Sequence, residues 1–158
     1  MGRPRIRTRI IGSEAVVAGI RLMAPAVQAE VREVTKASLI RIKREARTNV
    51  PYSGGKKPNK LRHVRDTIKE KIDKDGLGGK VSAGGKGAMH ANIIESGATA
   101  HEIKVKTGRV LSDNNRVFGR TVKHPGHAAH PFMKPALARE APNYRRGVEQ
   151  AVQRGIAR

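Results

Sequence analysis

The chain has 158 residues, of which 33 are Lys or Arg and 13 are Asp or Glu, so its formal net charge at pH 7 is +20. This length suits one domain, and a hydrophobic share of 37% leaves only a thin core, which favours packing against copies of itself or other subunits. The absence of Cys excludes disulfides and thiolate chemistry, no apolar run approaches the ~18 residues of a membrane span, and no secretory signal is expected.

Basic and apolar residues alternate over residues 3–11, which predicts either a strand with one buried face or an extended arm. We therefore divide the chain into a basic strand or arm, residues 1–12, and a single α+β domain, residues 13–158. The arm could contact neighbouring subunits or DNA. Its candidate contact residues are Arg3, Arg5, Arg7 and Arg9.

Two helices are predicted next. A short helix over residues 15–23 should be broken near Pro25, because proline lacks the amide hydrogen that a helix interior needs. A long helix is predicted from Pro25 to about Thr48, with a narrow stripe facing the core. The stripe consists of Val27, Val31, Val34, Ser38 and Ile42.

The middle of the chain reads as loops and short strands. Residues 51–60 are rich in turn formers and predict a loop. The next segment is ambiguous, because Leu61, Val64, Ile68 and Ile72 fit a helix whereas residues 67–73 also alternate like a strand. A short strand is predicted over residues 80–83 between glycine-rich connections, and residues 90–95 are the best candidate for a central strand.

The last third predicts more strands and a closing helix. Residues 102–106 and 117–122 alternate like strands, and residues 107–116 are expected to form a loop. A final helix is predicted over residues 136–156, with Pro142 able to separate its first turn and a half. The order of elements predicts an α+β fold: a long N-terminal helix packed on an antiparallel β-sheet, with a C-terminal helix.

The sequence gives only weak signals for a reactive centre. The glycines of residues 76–87 match neither a phosphate-binding loop nor a dinucleotide fingerprint. His124, His127 and His130 are spaced by three, but prolines and a glycine among them prevent the helix that would align them as metal ligands. Glu95 is expected to be partly buried and paired with an Arg, Lys or His. We predict a non-enzyme with no catalytic residue, no cofactor and no metal site.

The charge itself leaves two interpretations open. Lys and Arg release counterions from phosphate backbones, so the basic ends of the chain could face a polyanion such as genomic DNA. They could equally face acidic protein partners or solvent. The chain has only two Tyr, two Phe and no Trp, which disfavours a single-strand reader that stacks bases on aromatic rings.

Between residues 46 and 137 the chain carries, in order, A-R-T-N-V-P at 46–51, S-G-G at 53–55, L-R at 61–62, H-A-N-I-I-E-S-G-A-T at 90–99 with His101, H-P-G at 124–126 and H-P-F-M-K-P-A-L at 130–137. In their order and spacing these blocks resemble one known family, the head–tail joining or tail-completion proteins of long-tailed phages, minor tail protein Z-like. That family shows a helix ending in a proline loop with G-x-L-R, a segment ending in E-x-G-T, then H-P-G and P-F-x-x-P-A-L before the last helix. Here loop 51–60 is longer than usual, and Ala98 separates Gly97 from Thr99. The family-motif positions in this chain are Pro51, Leu61, Arg62, Glu95, Gly97, Thr99 and His101.

The resemblance implies a structural virion protein of the phage neck. Such a subunit would assemble in the host cytoplasm into a ring, expected to be a hexamer, that completes the tail and joins it to the head around the DNA channel. Its implied partners are an adaptor or head-completion ring and a tail terminator or tail tube protein, with non-specific contact to DNA left open and no membrane. A tail terminator is the alternative within this class, and a basic nucleic-acid-binding protein the alternative outside it.

A tract fixed by proline and glycine, residues 124–135, is the predicted contact surface for neighbouring rings, because a preorganised segment loses little entropy on docking. Phe132 and Met133 are the predicted apolar anchors. The full predicted interface set is His124, Pro125, Gly126, Pro131, Phe132, Met133 and Pro135.

Overall fold

The computed structural model describes residues 5–10, 14–51, 63–85, 88–105, 110–112 and 116–157. Within these residues the fold is α+β, as the sequence predicts, with two long helices, two short helices and one helix of a single turn. The helices are α1 (Glu14–Leu22), α2 (Pro25–Asn49), α3 (Val64–Thr67), α4 (Ala91–Ser96) and α5 (Met133–Ile156).

The strands form three small antiparallel sheets. The largest has three strands in the order β1-β3-β2, and two further pairs, β4 with β7 and β5 with β6, form two-stranded ribbons. The strands are β1 (Arg5–Ile10), β2 (Lys69–Ile72), β3 (Gly79–Gly84), β4 (His101–Lys104), β5 (Leu111–Ser112), β6 (Val117–Gly119) and β7 (Thr121–His124).

The core lies between α2, α5 and one face of the three-stranded sheet. The two long helices run antiparallel, because Val27 at the start of α2 meets Gly155 at the end of α5 while Val34 meets Gly147. A Cβ atom at Gly155 would lie 2.5 Å from the Val27 side chain, so glycine permits this close approach. The two hydrophobic clusters of the core follow α2 along its length.

The predicted apolar stripe of α2 is largely confirmed. Val27, Val31, Ser38 and Ile42 are buried and Val34 is half-buried, as a helical repeat of three and four residues requires. The predicted short helix and the strand over residues 80–83 are also present, as α1 and β3. Residues 63–73 contain both predicted alternatives in succession, the single turn α3 and then strand β2.

The predicted central strand over residues 90–95 is wrong, because this segment forms helix α4. Ala91 and Glu95 are buried while Ile93 is exposed, which is the spacing of one helical turn and not of a strand. A run of six residues is too short for its periodicity to separate the two structures.

Pro142 does not interrupt α5, which runs unbroken from Met133 to Ile156. Proline removes the hydrogen bond to the carbonyl of Ala138, and both residues lie on the exposed side of the helix. The final helix begins at Met133, three residues earlier than the sequence predicts.

The basic N-terminal segment is a strand and not a free arm over its described part. Residues Arg5–Ile10 pair antiparallel with β3 along its full length. Arg3 lies outside the described residues, as do Leu61, Arg62 and most of the predicted 51–60 loop.

Candidate functional site

The buried carboxylate of Glu95 caps the N-terminus of α5. Its Oε2 accepts hydrogen bonds from the backbone N–H groups of Phe132 (2.8 Å) and Met133 (2.9 Å), and its Oε1 accepts one from Lys134 (3.0 Å). The next residue, Pro135, has no N–H. One carboxylate therefore satisfies every amide that the first turn of α5 leaves open, and its negative charge lies at the positive end of the helix.

This arrangement corrects the predicted partner of Glu95. The sequence suggests a cation, but within the described residues the hydrogen-bond partners of its carboxylate are three backbone amides. A buried carboxylate needs compensation for lost hydration, and charge-assisted bonds from a helix N-terminus supply it.

The predicted role of Phe132 and Met133 as apolar anchors for a partner is also wrong. Both side chains are fully buried in the core of this chain, beside Leu39, Ile68 and Val81. They are apolar because they anchor the start of α5 to the core, and neither presents surface to a neighbour.

Residues 94–98 and 126–134 form one backbone-to-backbone contact, which we call the Glu95 junction. The N–H of His130 donates to the carbonyl of Ile94 (2.7 Å), and Ala98 and His127 exchange two hydrogen bonds of 2.9 and 2.8 Å. The junction thus joins the E-S-G-A-T block to the H-P-G and P-F-M-K-P blocks, which lie 25 or more residues further along the sequence.

Two glycines make this close approach possible. Gly97 has φ of +73° and Gly126 has φ of +92°, in a region that other residues rarely adopt. A Cβ on Gly97 would lie 2.8 Å from the carbonyl oxygen of His127, and one on Gly126 would lie 2.6 Å from that of Ala98. Each glycine therefore faces backbone of the opposite segment.

The remaining predicted interface residues lie around this junction. Pro125, Pro131 and Pro135 are exposed, and His124 and Gly126 are half-buried. Of the other motif residues, Thr99 and His101 are exposed and joined by a 2.9 Å hydrogen bond between the His101 ring and the Thr99 carbonyl. Pro51 is exposed just after α2.

Four of the described histidines form two ring pairs. The rings of His101 and His124 stack at 5.0 Å across β4 and β7, and those of His127 and His130 lie 5.6 Å apart. Over the stretches that the structure describes, no three His, Asp or Glu side chains gather closely enough to hold a metal ion. Likewise, no helix in those stretches has an apolar run of the length that a bilayer crossing requires.

The ribbons expose apolar side chains. All four residues of β4 are exposed, and Phe118 and Val117 of β6 are 46% and 72% exposed. Ile103 of β4 and Val110 are also exposed. These exposed apolar side chains make the ribbons a candidate contact surface.

Comparison with known proteins identifies no relative. No family model, no curated protein and no solved structure matches this chain. The family resemblance of the sequence blocks therefore enters the function only as a proposal.

A polar cluster that the sequence does not reveal joins α2 to α5. Buried Glu140 accepts hydrogen bonds from Ser38 (2.7 Å) and from Arg41 (2.7 and 2.9 Å). Burial of Glu140 opposes its ionisation, but the bonds from Arg41 and Ser38 outweigh it and leave the pKa of Glu140 below its ordinary value. In the sequence, the only sign of this cluster is that the polar residue Ser38 occupies a position in the apolar stripe of α2.

We expect this cluster to make stability depend on pH. A carboxyl whose pKa is lower in the folded state stabilises the fold above the unfolded pKa, about 4.3, and this contribution disappears as pH falls through the folded pKa. Glu140→Gln should therefore cost about 1–2 kcal/mol at pH 7, with a smaller difference from wild type in acid. Urea unfolding of both proteins from pH 7 to pH 3 measures this, and a difference that stays constant with pH would contradict it.

Proposed function

We propose that this chain is a structural subunit of the phage neck, which forms a ring that completes the tail and joins it to the head around the DNA channel. The observation that carries the assembly part of this proposal is the set of large apolar side chains exposed on and beside the ribbons, Ile103, Val110, Val117 and Phe118. The location in the neck comes from the family resemblance of the sequence blocks that meet at the Glu95 junction.

A second copy of the chain is the proposed occupant of the ribbon surface. The β4–β7 ribbon emerges directly from the Glu95 junction, since β4 begins at His101 and β7 ends at His124. The base of the ribbon is thereby fixed to the core, while Ile103 of β4 is exposed. An apolar element repeated once per subunit can close a ring when it contacts a different surface of the next copy, because rings form through head-to-tail contacts.

The large positive charge constrains how this ring can form. Subunits of net charge +20 repel one another, so apolar contact must outweigh the repulsion, and added salt should strengthen assembly by screening it. Acidic neighbours, such as an adaptor ring and a tail tube or terminator ring, would lower this repulsion in the particle. A hexamer is the copy number that the family resemblance implies.

The genetic test uses a phage that carries this gene with an early stop codon. We expect filled heads and separate tails of normal length, visible by negative-stain electron microscopy, with joining restored by the wild-type protein. Abnormally long tails would instead indicate the alternative role of tail terminator, and normal virions would refute both.

We predict that Val117→Asp combined with Phe118→Asp abolishes self-assembly, because the two positions are on opposite faces of β6 and a contact on either face would have to bury a carboxylate. Light scattering after size exclusion in 0.5 M salt should give a multiple of 17.2 kDa for wild type and a single subunit for the variant. Gln150→Asp with Gln153→Asp, exposed positions on α5, makes the same charge change and should leave the mass unchanged. A monomeric wild type would contradict the ring.

A further inference from the structure

The outer face of the three-stranded sheet, turned away from the helices, is a concentrated basic surface. In the central strand β3, Gly79, Val81 and Ala83 are buried toward the core, whereas Lys80 and Ser82 alternate with them and lie on the outer face. On β2, exposed Lys69 and Lys71 lie on the same face as Lys80.

The strand register aligns the cations in rows across the sheet. Lys71 of β2 and Arg9 of β1 are the register partners of Lys80 on its two sides. In the next row, Lys69 and exposed Arg7 are the partners of Ser82. We call the described cations of these two rows, Arg7, Lys69, Lys71 and Lys80, the basic sheet face.

No acidic residue of β2 compensates this charge. Glu70 is opposite buried Val81, so it lies on the inner face, where it forms an ion pair with Lys43 of α2. Across the parts of the chain described, the ion pairs include none of the four cations of the basic sheet face. Like charges directly opposite each other destabilise a sheet, so this surface is arranged at a cost to stability.

We infer that the basic sheet face binds the phosphate backbone of double-stranded nucleic acid. A bound polyanion would remove the repulsion between Lys71 and Lys80 and release its own counterions. The face carries no aromatic ring on which single-stranded bases could stack, so a duplex is the favoured ligand. Backbone contact alone predicts binding without sequence preference.

An acidic protein is the less suitable partner. Protein interfaces are depleted in Lys, especially at their centres, and place apolar or aromatic side chains there. Among the residues described, the two rows of the outer face consist of Lys, Arg and Ser and contain no apolar anchor. Protein–DNA interfaces, in contrast, are strongly positive and polar.

This inference goes beyond the ring proposed above and does not depend on it. A ring could assemble through the ribbons without touching DNA, and the sheet face could bind a duplex in an isolated subunit. Failure of one proposal therefore leaves the other intact.

The test measures binding of a fluorescent 20-base-pair duplex at several salt concentrations. Each phosphate contact contributes about 0.9 to the slope of log K against log salt, so replacing three lysines should make the slope shallower by about 2.7. Wild type should then lose about 40-fold more affinity than Lys69→Gln/Lys71→Gln/Lys80→Gln between 50 and 200 mM salt. Circular dichroism confirms that the variant folds.

The matched control removes the same charge from the helical side. Lys36→Gln/Lys134→Gln/Arg145→Gln changes three exposed cations of α2 and α5 and should keep the wild-type slope. An equal loss in both variants would overturn the inference, since net charge alone would then explain binding. Tighter binding to poly-glutamate than to the duplex at equal ionic strength would overturn it in favour of an acidic protein.

Thermal unfolding independently tests whether repulsion between the cations of the basic sheet face lowers the stability of the free protein. Lys71→Gln removes the repulsion with Lys80 and should raise the melting temperature of the free protein. The duplex should raise the melting temperature of wild type more than that of the triple variant. A lower melting temperature for Lys71→Gln would overturn the claim that the paired cations are held against their own repulsion.

Discussion

Glu95→Ala is expected to destabilise the fold by about 3–5 kcal/mol, a large part of the ~5–15 kcal/mol that holds a domain of this kind together. The substitution removes the acceptor of three backbone hydrogen bonds and leaves the amides of Phe132, Met133 and Lys134 without it. Two of these bonds are buried, so water cannot readily replace the carboxylate. The lost bonds are charge-assisted and act at a helix terminus, which makes them stronger than average.

Equilibrium unfolding in urea measures this loss of stability. In a thermal scan, the melting temperature of Glu95→Ala should be lower than that of wild type by roughly 10 °C. Glu95→Gln should also destabilise, by roughly 2 kcal/mol, because its NH2 group would face a backbone donor. Glu33→Ala, at an exposed position of α2, is the matched control and should stay within about 0.5 kcal/mol of wild type. If Glu95→Ala behaved like this control, the Glu95 junction would have no energetic role.

The local elements of this fold are largely readable from sequence. The helical repeat of α2, the alternation in β1 and the proline before α5 each depend on neighbouring residues, so they survive in a one-dimensional pattern. Helix α4 is short, and its contacts with distant parts of the chain favour the helical conformation. As a helix it places Ala91 in the core and lets the Glu95 carboxylate reach the start of α5. No local signal distinguishes that from a strand.

The partners of buried polar groups are what the sequence cannot supply. Glu95 is recognisable as an acid in an apolar segment. The groups that donate hydrogen bonds to its carboxylate are backbone amides that lie 37 to 39 residues away in the sequence. The same holds for Glu140, which meets Ser38 across 102 residues. Apolar Phe132 and Met133 are equally consistent with an interface or a core until α5 is docked on the sheet.

Proline and glycine positions are more informative in combination than singly. Gly97 and Gly126 each read as turn residues, yet the structure uses both to bring two backbone segments into contact. The distance that separates them in the chain hides this pairing. In the proposed ring, the same contact would orient the β4–β7 ribbon toward the adjacent subunit, so a structural pair of glycines would also govern assembly.

Gly126→Ala is expected to destabilise the fold by about 3–4 kcal/mol through two separable effects. The first is backbone strain, about 1–2 kcal/mol for an L-residue at a positive φ such as the +92° of Gly126. The second is steric, because the new Cβ would lie 2.6 Å from the carbonyl oxygen of Ala98 and 3.0 Å from the amide nitrogen of Ala100. Relief of that overlap requires the two segments to separate, which breaks the Ala98–His127 hydrogen bonds.

Gly119→Ala separates the two effects. Gly119 has nearly the same φ, +91°, but its Cβ would meet nothing within 4 Å, so this variant should show only the backbone strain. The difference between the two variants in urea unfolding then measures the steric contact within the Glu95 junction. If that contact orients the ribbon, the Gly126→Ala protein should also fail to self-assemble in the absence of denaturant, whereas the Gly119→Ala protein should still assemble. Equal losses of stability in both variants would mean that the junction yields without cost, and the ribbon would then have no fixed base from which to build a ring.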